Sequence, residues 1–266
     1  MATSEEDLDD SKMPLLDHLI ELRKRLMWCV IAILLLFFVS YFFKENIYNF
    51  LVQPLADILT ERGGERRLIY TALHEAFFTY LKVSFFAALF VAFPFLSMQA
   101  WLFIAPGLYK NEKKALLPFL VATPVLFFMG GALVYYLIFP LAWDFFLGFE
   151  SAGGDGALPI QLEAKVNEYL SLVMRLIFAF GICFELPVAI TLLARVGMVS
   201  AQGLREKRKY AMVIVFAVAA FLTPPDIISQ VGLAIPTLLL YEISILCAVM
   251  VERKRDEEDA EREEAT

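Results

Sequence analysis

The chain is poor in the residues that most enzymes depend on. Among 266 residues there are only three cysteines and two histidines. His18 and His74 fall in segments that the topology below puts on opposite membrane faces, so a paired-histidine metal site is excluded. Cys29, Cys183 and Cys247 each lie inside an apolar run and read as small buried hydrophobes rather than disulfides or metal ligands. No G-x-x-x-x-G-K-[ST] loop, H-E-x-x-H or G-x-S-x-G occurs, so nothing here hydrolyses ATP or a peptide bond. No cofactor and no metal is expected, and the chain is not read as an enzyme. Any work must draw on a partner or on a transmembrane gradient.

Balanced hydrophilic composition is also missing. Hydrophobic residues make up 59% of the chain, with 25 Phe and a mean hydropathy of +0.65. A soluble domain carries about 45–50% apolar residues. A water-soluble globular enzyme, a disordered protein and a nucleic-acid binder are therefore excluded. The formal charge of −7 misleads, because residues 1–12 and residues 252–266 each carry −4 and leave the body near +1. The chain divides into an acidic tail (1–12), a membrane domain (13–251) and a second charged tail (252–266).

A spanning helix needs about 20 mostly apolar residues. Six runs qualify or nearly qualify, at about 26–43, 83–102, 115–141, 169–194, 210–224 and 228–251. The first follows an acidic N-terminus and lacks a small-x-small cleavage site, so it is read as a retained span rather than a signal peptide. With the N-terminus inside, 16 of the 23 Lys and Arg fall in inner segments, which sets the orientation as N-in, C-in. The fifth run is short, and Pro224-Pro225 stops it before the sixth begins. Prolines at 94, 118, 124, 140, 187 and 236 predict kinked helices around a concave surface, or are simply tolerated as membrane helices tolerate proline. Glu45–Tyr80 shows helical spacing, a break at Arg62-Gly63-Gly64 and a second helical stretch, which predicts a structured outer cap. Gly148–Pro159 reads as a loop. The fold class is thus an all-α integral membrane protein of six spans.

Four stretches carry polar chemistry. In the first, Leu15, Leu19, Leu22 and Leu26 form one apolar helix stripe laid along the inner membrane surface from Pro14. Glu21 lies off that stripe, and taken alone it is favoured as half of a surface ion pair with Arg25. In the second, Glu112 sits among Lys110, Lys113 and Lys114 and reads alone as a solvated carboxylate, with Trp101 and Tyr109 as interface anchors. In the third, Glu185 lies near the middle of a span, where a carboxylate is costly. Its residues leave two readings open, a functional acid or a partner for the Cys183 carbonyl that Pro187 frees. In the fourth, Thr223, Asp226, Ser229 and Gln230 offer either helix capping by Asp226 or a polar docking edge for another membrane helix.

Together these stretches resemble the TatC family, the multispanning subunit of the twin-arginine protein translocase. The resemblance rests on His18-Leu-Ile-Glu-Leu-Arg-Lys-Arg25, Phe103-Ile-Ala-Pro-Gly-Leu-Tyr109 with Glu112, Phe184-Glu-Leu-Pro187 and Leu222-Thr-Pro-Pro-Asp226. It covers about residues 13–251 and diverges in the outer loops. The family implies a receptor that binds twin-arginine signal peptides on the cytoplasmic face of the bacterial inner membrane. It also implies export of folded cargo in a multimeric complex with TatA-like and TatB-like single-span partners, driven by the proton-motive force. Carried over by position, Glu21 and Glu112 would contact the arginine pair, with Arg23 and Phe103 beside them. Glu185 matches the intramembrane acid, Thr223 and Gln230 the partner-helix site, and Pro54 a position in the outer cap. On these residues the resemblance reverses the bland readings of Glu21 and Glu112, since a guanidinium fork suits a carboxylate and two arginines call for two acids. The alternative function is a proton-coupled small-solute transporter using Glu185, and a third reading is a scaffold that binds single-span partners only.

Overall fold

A computed structural model describes residues 3–63, 67–108, 117–151, 153, 158–223 and 225–264, and side chains within 18–63, 67–103, 118–151, 153, 158–223, 225–253 and at 257. Glu112 and Tyr109 lie outside the described residues.

Ten α-helices account for nearly all of the described chain, and no strand occurs among the described residues. The two isolated β-bridges, Ile69 with Lys165 and Ser151 with Ile160, tie loops together. Five helical stretches are long and apolar enough to cross a membrane: His18–Phe42, Glu75–Phe103, Pro118–Leu147, Val166–Arg195 and Ile227–Arg253. The fifth apolar run forms α9 (Arg208–Leu222), which has 15 residues and falls short of that length.

Helix α1 runs unbroken from Thr3 to Phe42. The N-terminal amphipathic segment is therefore continuous with the first span, and Pro14 lies within the helix rather than at its start. The most apolar part of α1 has no buried residue, and Leu35, Phe38 and Phe42 are exposed. A helix that is apolar all round, with so many large apolar side chains left exposed, has hydrocarbon as its solvent on that side. Its packing is almost entirely against α3 (Glu75–Leu108).

Two spans are built from consecutive helices, each broken ahead of a proline. Helix α4 (Leu117–Leu133) passes through a π-helical turn, Val134–Ile138, into α5 (Phe139–Leu147), with Pro140 in the first turn of α5. Helix α6 (Val166–Phe184) ends where α7 (Leu186–Arg195) begins, and Pro187 occupies the first turn of α7. Proline lacks the amide that a continuous helix would need there. Helices α4 and α6 pack closely through glycine. A Cβ on Gly130 would lie 2.6 Å from the Phe180 carbonyl oxygen, and one on Gly181 would lie 2.6 Å from the Phe127 ring. Small residues of this kind let membrane helices approach.

The segment expected as the cap forms α2 (Lys44–Arg62), closed by Gly63 at φ +73°. Arg62 fastens it to the end of α5, donating to the Leu147 carbonyl at 2.8 Å and to Asp144 Oδ1 at 2.6 Å. The expected second helical stretch of the cap is only partly present. Residues 67–70 are extended, bridged to Lys165, and helix resumes at Glu75 as the start of α3 itself. Pairing with a neighbouring segment outcompetes local helix propensity there.

The short α8 (Ala201–Glu206) docks on α10 (Ile227–Glu264). Glu252 accepts from the Ala201 amide at 2.8 Å, and the Tyr241 hydroxyl donates to the Leu204 carbonyl at 2.8 Å. Glu252, first residue of the charged tail in the sequence division, thus belongs structurally to the membrane domain's inner edge.

Candidate functional site

The N-terminal part of α1 and the C-terminal part of α3 come together through five side chains. Arg25 Nε donates to Glu21 Oε1 at 2.9 Å, and Nη2 donates to the same oxygen at 2.5 Å. Arg25 Nη1 reaches across to Gln99 Oε1 on α3 at 3.2 Å. One turn before Glu21, the His18 ring stacks on Phe103 with centroids 4.2 Å apart and planes 14° from parallel. Spacing explains the grouping: His18, Glu21 and Arg25 share one helix face, as do Gln99 and Phe103. Arg23 is two positions from Glu21, so it projects from the opposite side and is exposed. Glu21 and Phe103 are brought together, while Arg23 stands apart.

This pair is not a bare surface contact. Glu21 keeps 36% of its side chain exposed and Arg25 keeps 22%, so one side of the carboxylate stays open. The arrangement shows that a guanidinium already sits on Glu21. Gln99 completes it and was not singled out in the sequence. Its signal was weak but present, as a lone amide four residues before Phe103 inside an apolar run.

Trp101 departs from the expected interface anchor. It is 7% exposed, and its indole N–H donates to the Thr123 hydroxyl on α4 at 3.0 Å. Glu185 occupies the joint between α6 and α7, where its amide bonds back to Ile182 O at 3.0 Å and its carbonyl accepts from Ala189 at 2.9 Å. Its Oε1 is buried and has no partner. The side chain therefore does not serve as a simple plug for freed backbone groups.

At the turn between α9 and α10, Asp226 caps α10, accepting from the Ser229 amide at 2.7 Å. Its second oxygen is buried without a partner. Thr223 is 6% exposed, and its hydroxyl donates to Ala219 O at 2.9 Å within its own helix. Gln230 is half-buried, and its amide reaches the Phe216 carbonyl only at 3.5 Å, beyond the usual range of about 2.7–3.2 Å. Of the two residues, Gln230 is the one with hydrogen-bonding capacity left to offer.

Pro54 is buried within α2 and frees the carbonyl of Phe50. The Tyr135 hydroxyl, from the π-helical turn, donates to that carbonyl at 2.6 Å, and the Tyr169 hydroxyl donates to Leu51 O at 3.2 Å. Glu242 of the last span pairs with Arg208 at the start of α9 at 2.5 Å. No group of three or more His, Cys, Asp or Glu side chains suited to a metal occurs among the described residues.

The family model of the Sec-independent protein translocase protein (TatC) matches residues 17–236. A Sec-independent protein translocase protein TatC of Magnetococcus marinus is 57% identical over 254 residues, covering 96% of this chain and 90% of its own length. That of Escherichia coli strain K12 is 41% identical over 236 residues, covering 89% and 88% respectively. A crystal structure of the twin-arginine translocase receptor TatC is similar at a TM-score of 0.72 and 35% identity, over 88% of this chain and 99% of that one.

Proposed function

The chain belongs to the TatC family of Sec-independent protein translocase proteins, and on that premise we propose that it is the receptor for twin-arginine signal peptides. It is a multi-pass membrane protein of protein transport. In the finer reading, six spans place both termini and the Glu21 cluster on the cytoplasmic side of the inner membrane, between two charged tails, in a concave bundle. TatA-like and TatB-like single-span proteins join it, and the proton-motive force drives export of folded cargo.

One observation supports the receptor reading above the others. Glu21 already holds a guanidinium, that of Arg25, in a half-open position at the inner end of α1. An incoming arginine presents the same fork to the same carboxylate and competes with Arg25 for it. Gln99 then receives the displaced Arg25 or the newcomer. Glu112, Arg23 and Phe103 are proposed as the remainder of the surface. The edge around Thr223 and Gln230 is proposed for partner-helix docking, with Gln230 turning from its long bond to a new acceptor. Glu185 is proposed as the intramembrane acid of the transport route, and Pro54 as the shape-setting residue of the cap.

The test is crosslinking of the detergent-purified protein to an Arg-Arg signal peptide and to its Lys-Lys counterpart. The Arg-Arg peptide is expected to be captured preferentially, and Glu21→Ala or Glu112→Ala to weaken that capture. Equal capture in all pairs sinks the receptor reading.

A further inference from the structure

Arg25 uses all three nitrogens of its guanidinium, and it uses them on two helices. Nε and Nη2 lie side-on to Glu21 Oε1 at 2.9 and 2.5 Å, while Nη1 donates to Gln99 Oε1 on α3 at 3.2 Å. An i, i+4 ion pair by itself asks nothing of a neighbouring helix. Gln99 makes the difference. It is a half-buried amide between apolar residues, Met98 and Ala100, where a polar group is costly unless it is bonded. One turn further along α3, Phe103 stacks on the His18 ring at 4.2 Å. His18 and Glu21 are three residues apart on α1, and Gln99 and Phe103 are four apart on α3. The two contacts are therefore successive rungs between the same helices, and the ring stack keeps the Gln99 oxygen across from Glu21.

Two acceptors on two helices, closed around one guanidinium, select for its shape. A guanidinium holds its donors in a rigid plane, so one edge can lie along a carboxylate while the far nitrogen reaches a second acceptor. An ammonium has three donors diverging from one nitrogen and cannot make the side-on pair and the opposed bond together. We propose that Glu21 and Gln99 form a guanidinium site that Arg25 occupies at rest, and that Gln99 is the residue by which the site tells an incoming arginine from a lysine. This rests on the receptor reading and adds to it the source of the discrimination. Glu21 supplies attraction, which any cation feels, and Gln99 supplies the second acceptor that only a guanidinium can use as well. Arg25 is a displaceable occupant, since an i, i+4 pair left 36% and 22% exposed holds weakly.

The experiment measures two affinities for each protein. Full-length protein in nanodiscs is titrated with a fluorescent signal peptide bearing Arg-Arg and with its Lys-Lys counterpart, and binding is read by anisotropy. Gln99→Leu, which keeps the volume and removes the acceptor, is expected to weaken Arg-Arg binding about tenfold, the scale of a hydrogen bond to a charged group. Lys-Lys binding should stay within about twofold, so the preference for arginine collapses. A preference that survives Gln99→Leu unchanged overturns the role of Gln99. Equal loss for both peptides also overturns it, because damage to the fold does not distinguish the two side chains. A second arm needs no signal peptide. Arg25→Ala empties the site, and methylguanidinium is expected to raise the unfolding temperature of that variant by about 2–4 °C. Methylammonium should not, and Gln99→Leu should abolish the rescue. Equal rescue by the two cations, or none by either, overturns the guanidinium site. Selective rescue in a protein that binds Arg-Arg and Lys-Lys peptides equally leaves the site standing and overturns the receptor reading instead.

Discussion

Proline at position 54 removes an amide from the middle of α2, and the cost is met by a residue 81 positions later. The Phe50 carbonyl, left without its helical donor, accepts from the Tyr135 hydroxyl, while the Phe50 and Tyr135 rings stack at 4.5 Å. The π-helical turn that carries Tyr135 is part of the same arrangement, since inserting it shifts the register of the span's outer part. This account makes a paired prediction. Tyr135→Phe keeps the ring stack but orphans a carbonyl, and should lower stability by about 1–3 kcal/mol. Adding Pro54→Ala restores an amide for the Phe50 carbonyl, so Tyr135→Phe should cost much less in that background. Thermal unfolding in detergent, followed by circular dichroism, reads both. An equal cost in the two backgrounds would show that Tyr135 acts only through packing. The role of Pro54 in the cap is thus a bond made by a different helix, and nothing in the sequence around position 54 announces that partner.

At the scale of helices, the contact between α4 and α6 is set by where side chains are missing. Gly130 faces backbone, 2.6 Å from where its Cβ would stand to Phe180 O, whereas Gly131 faces the end of the Phe90 ring at 3.2 Å. A ring can swing by a few tenths of an ångström, and a carbonyl inside a packed helix cannot without moving the helix. Gly130→Ala should therefore destabilise by about 1–3 kcal/mol, the usual range of overpacking. Gly131→Ala should cost far less or nothing. Protease resistance of the two variants across a temperature series ranks them, and equal ranking would mean that α4 and α6 can slide apart freely. Helix existence was legible in the sequence because runs of 16 or more apolar residues admit few alternatives. Helix interruption was legible only in part, since Pro187 and Pro140 sit at breaks while Pro94, Pro124 and Pro236 lie within unbroken helices. What the sequence hid was orientation. Trp101 looked like an interface anchor because tryptophan favours that level, but its indole found a buried hydroxyl on another helix. Gln99 escaped notice because its importance comes only from Arg25 lying opposite. The ion pair of Glu21 with Arg25 was legible from their i, i+4 spacing alone.

The whole molecule turns on α9, the shortest of the six apolar runs that the sequence offers as spans. Helix α9 spans 15 residues, which rises only about 22 Å, against about 30 Å of hydrocarbon. Its first residue, Arg208, pairs with Glu242, which sits 15 positions into α10. In an antiparallel hairpin those two positions lie at the same depth, so the ion pair marks the level where α9 ends and α10 continues through apolar residues to Val251. A charged pair that is half-exposed on both sides belongs at a headgroup level or in water, not in hydrocarbon. A crossing α9 requires a bilayer beside it that is thinner than average, or locally wet at one edge. This places the six-span topology on a testable footing, because a short helix either crosses or it does not. With Cys29, Cys183 and Cys247 replaced by Ala, single cysteines are introduced at Met198 and Pro225, which flank α9 and are both exposed. A third at Leu158, exposed in the loop before α6, serves as the outer reference. An impermeant maleimide applied to right-side-out vesicles should label positions 158 and 225 and spare 198, and inverted vesicles should give the reverse. If 198 and 225 were labelled from the same side, α9 would lie in the interface, the chain would have five spans, and the C-terminal end of α10 would move to the outer face. In that arrangement α8 and Arg208 would stay on the inner side while Glu252 and the C-terminal tail moved to the outer one, so the Ala201–Glu252 and Arg208–Glu242 contacts could not both form. The short helix and the positive-inside asymmetry therefore stand or fall together.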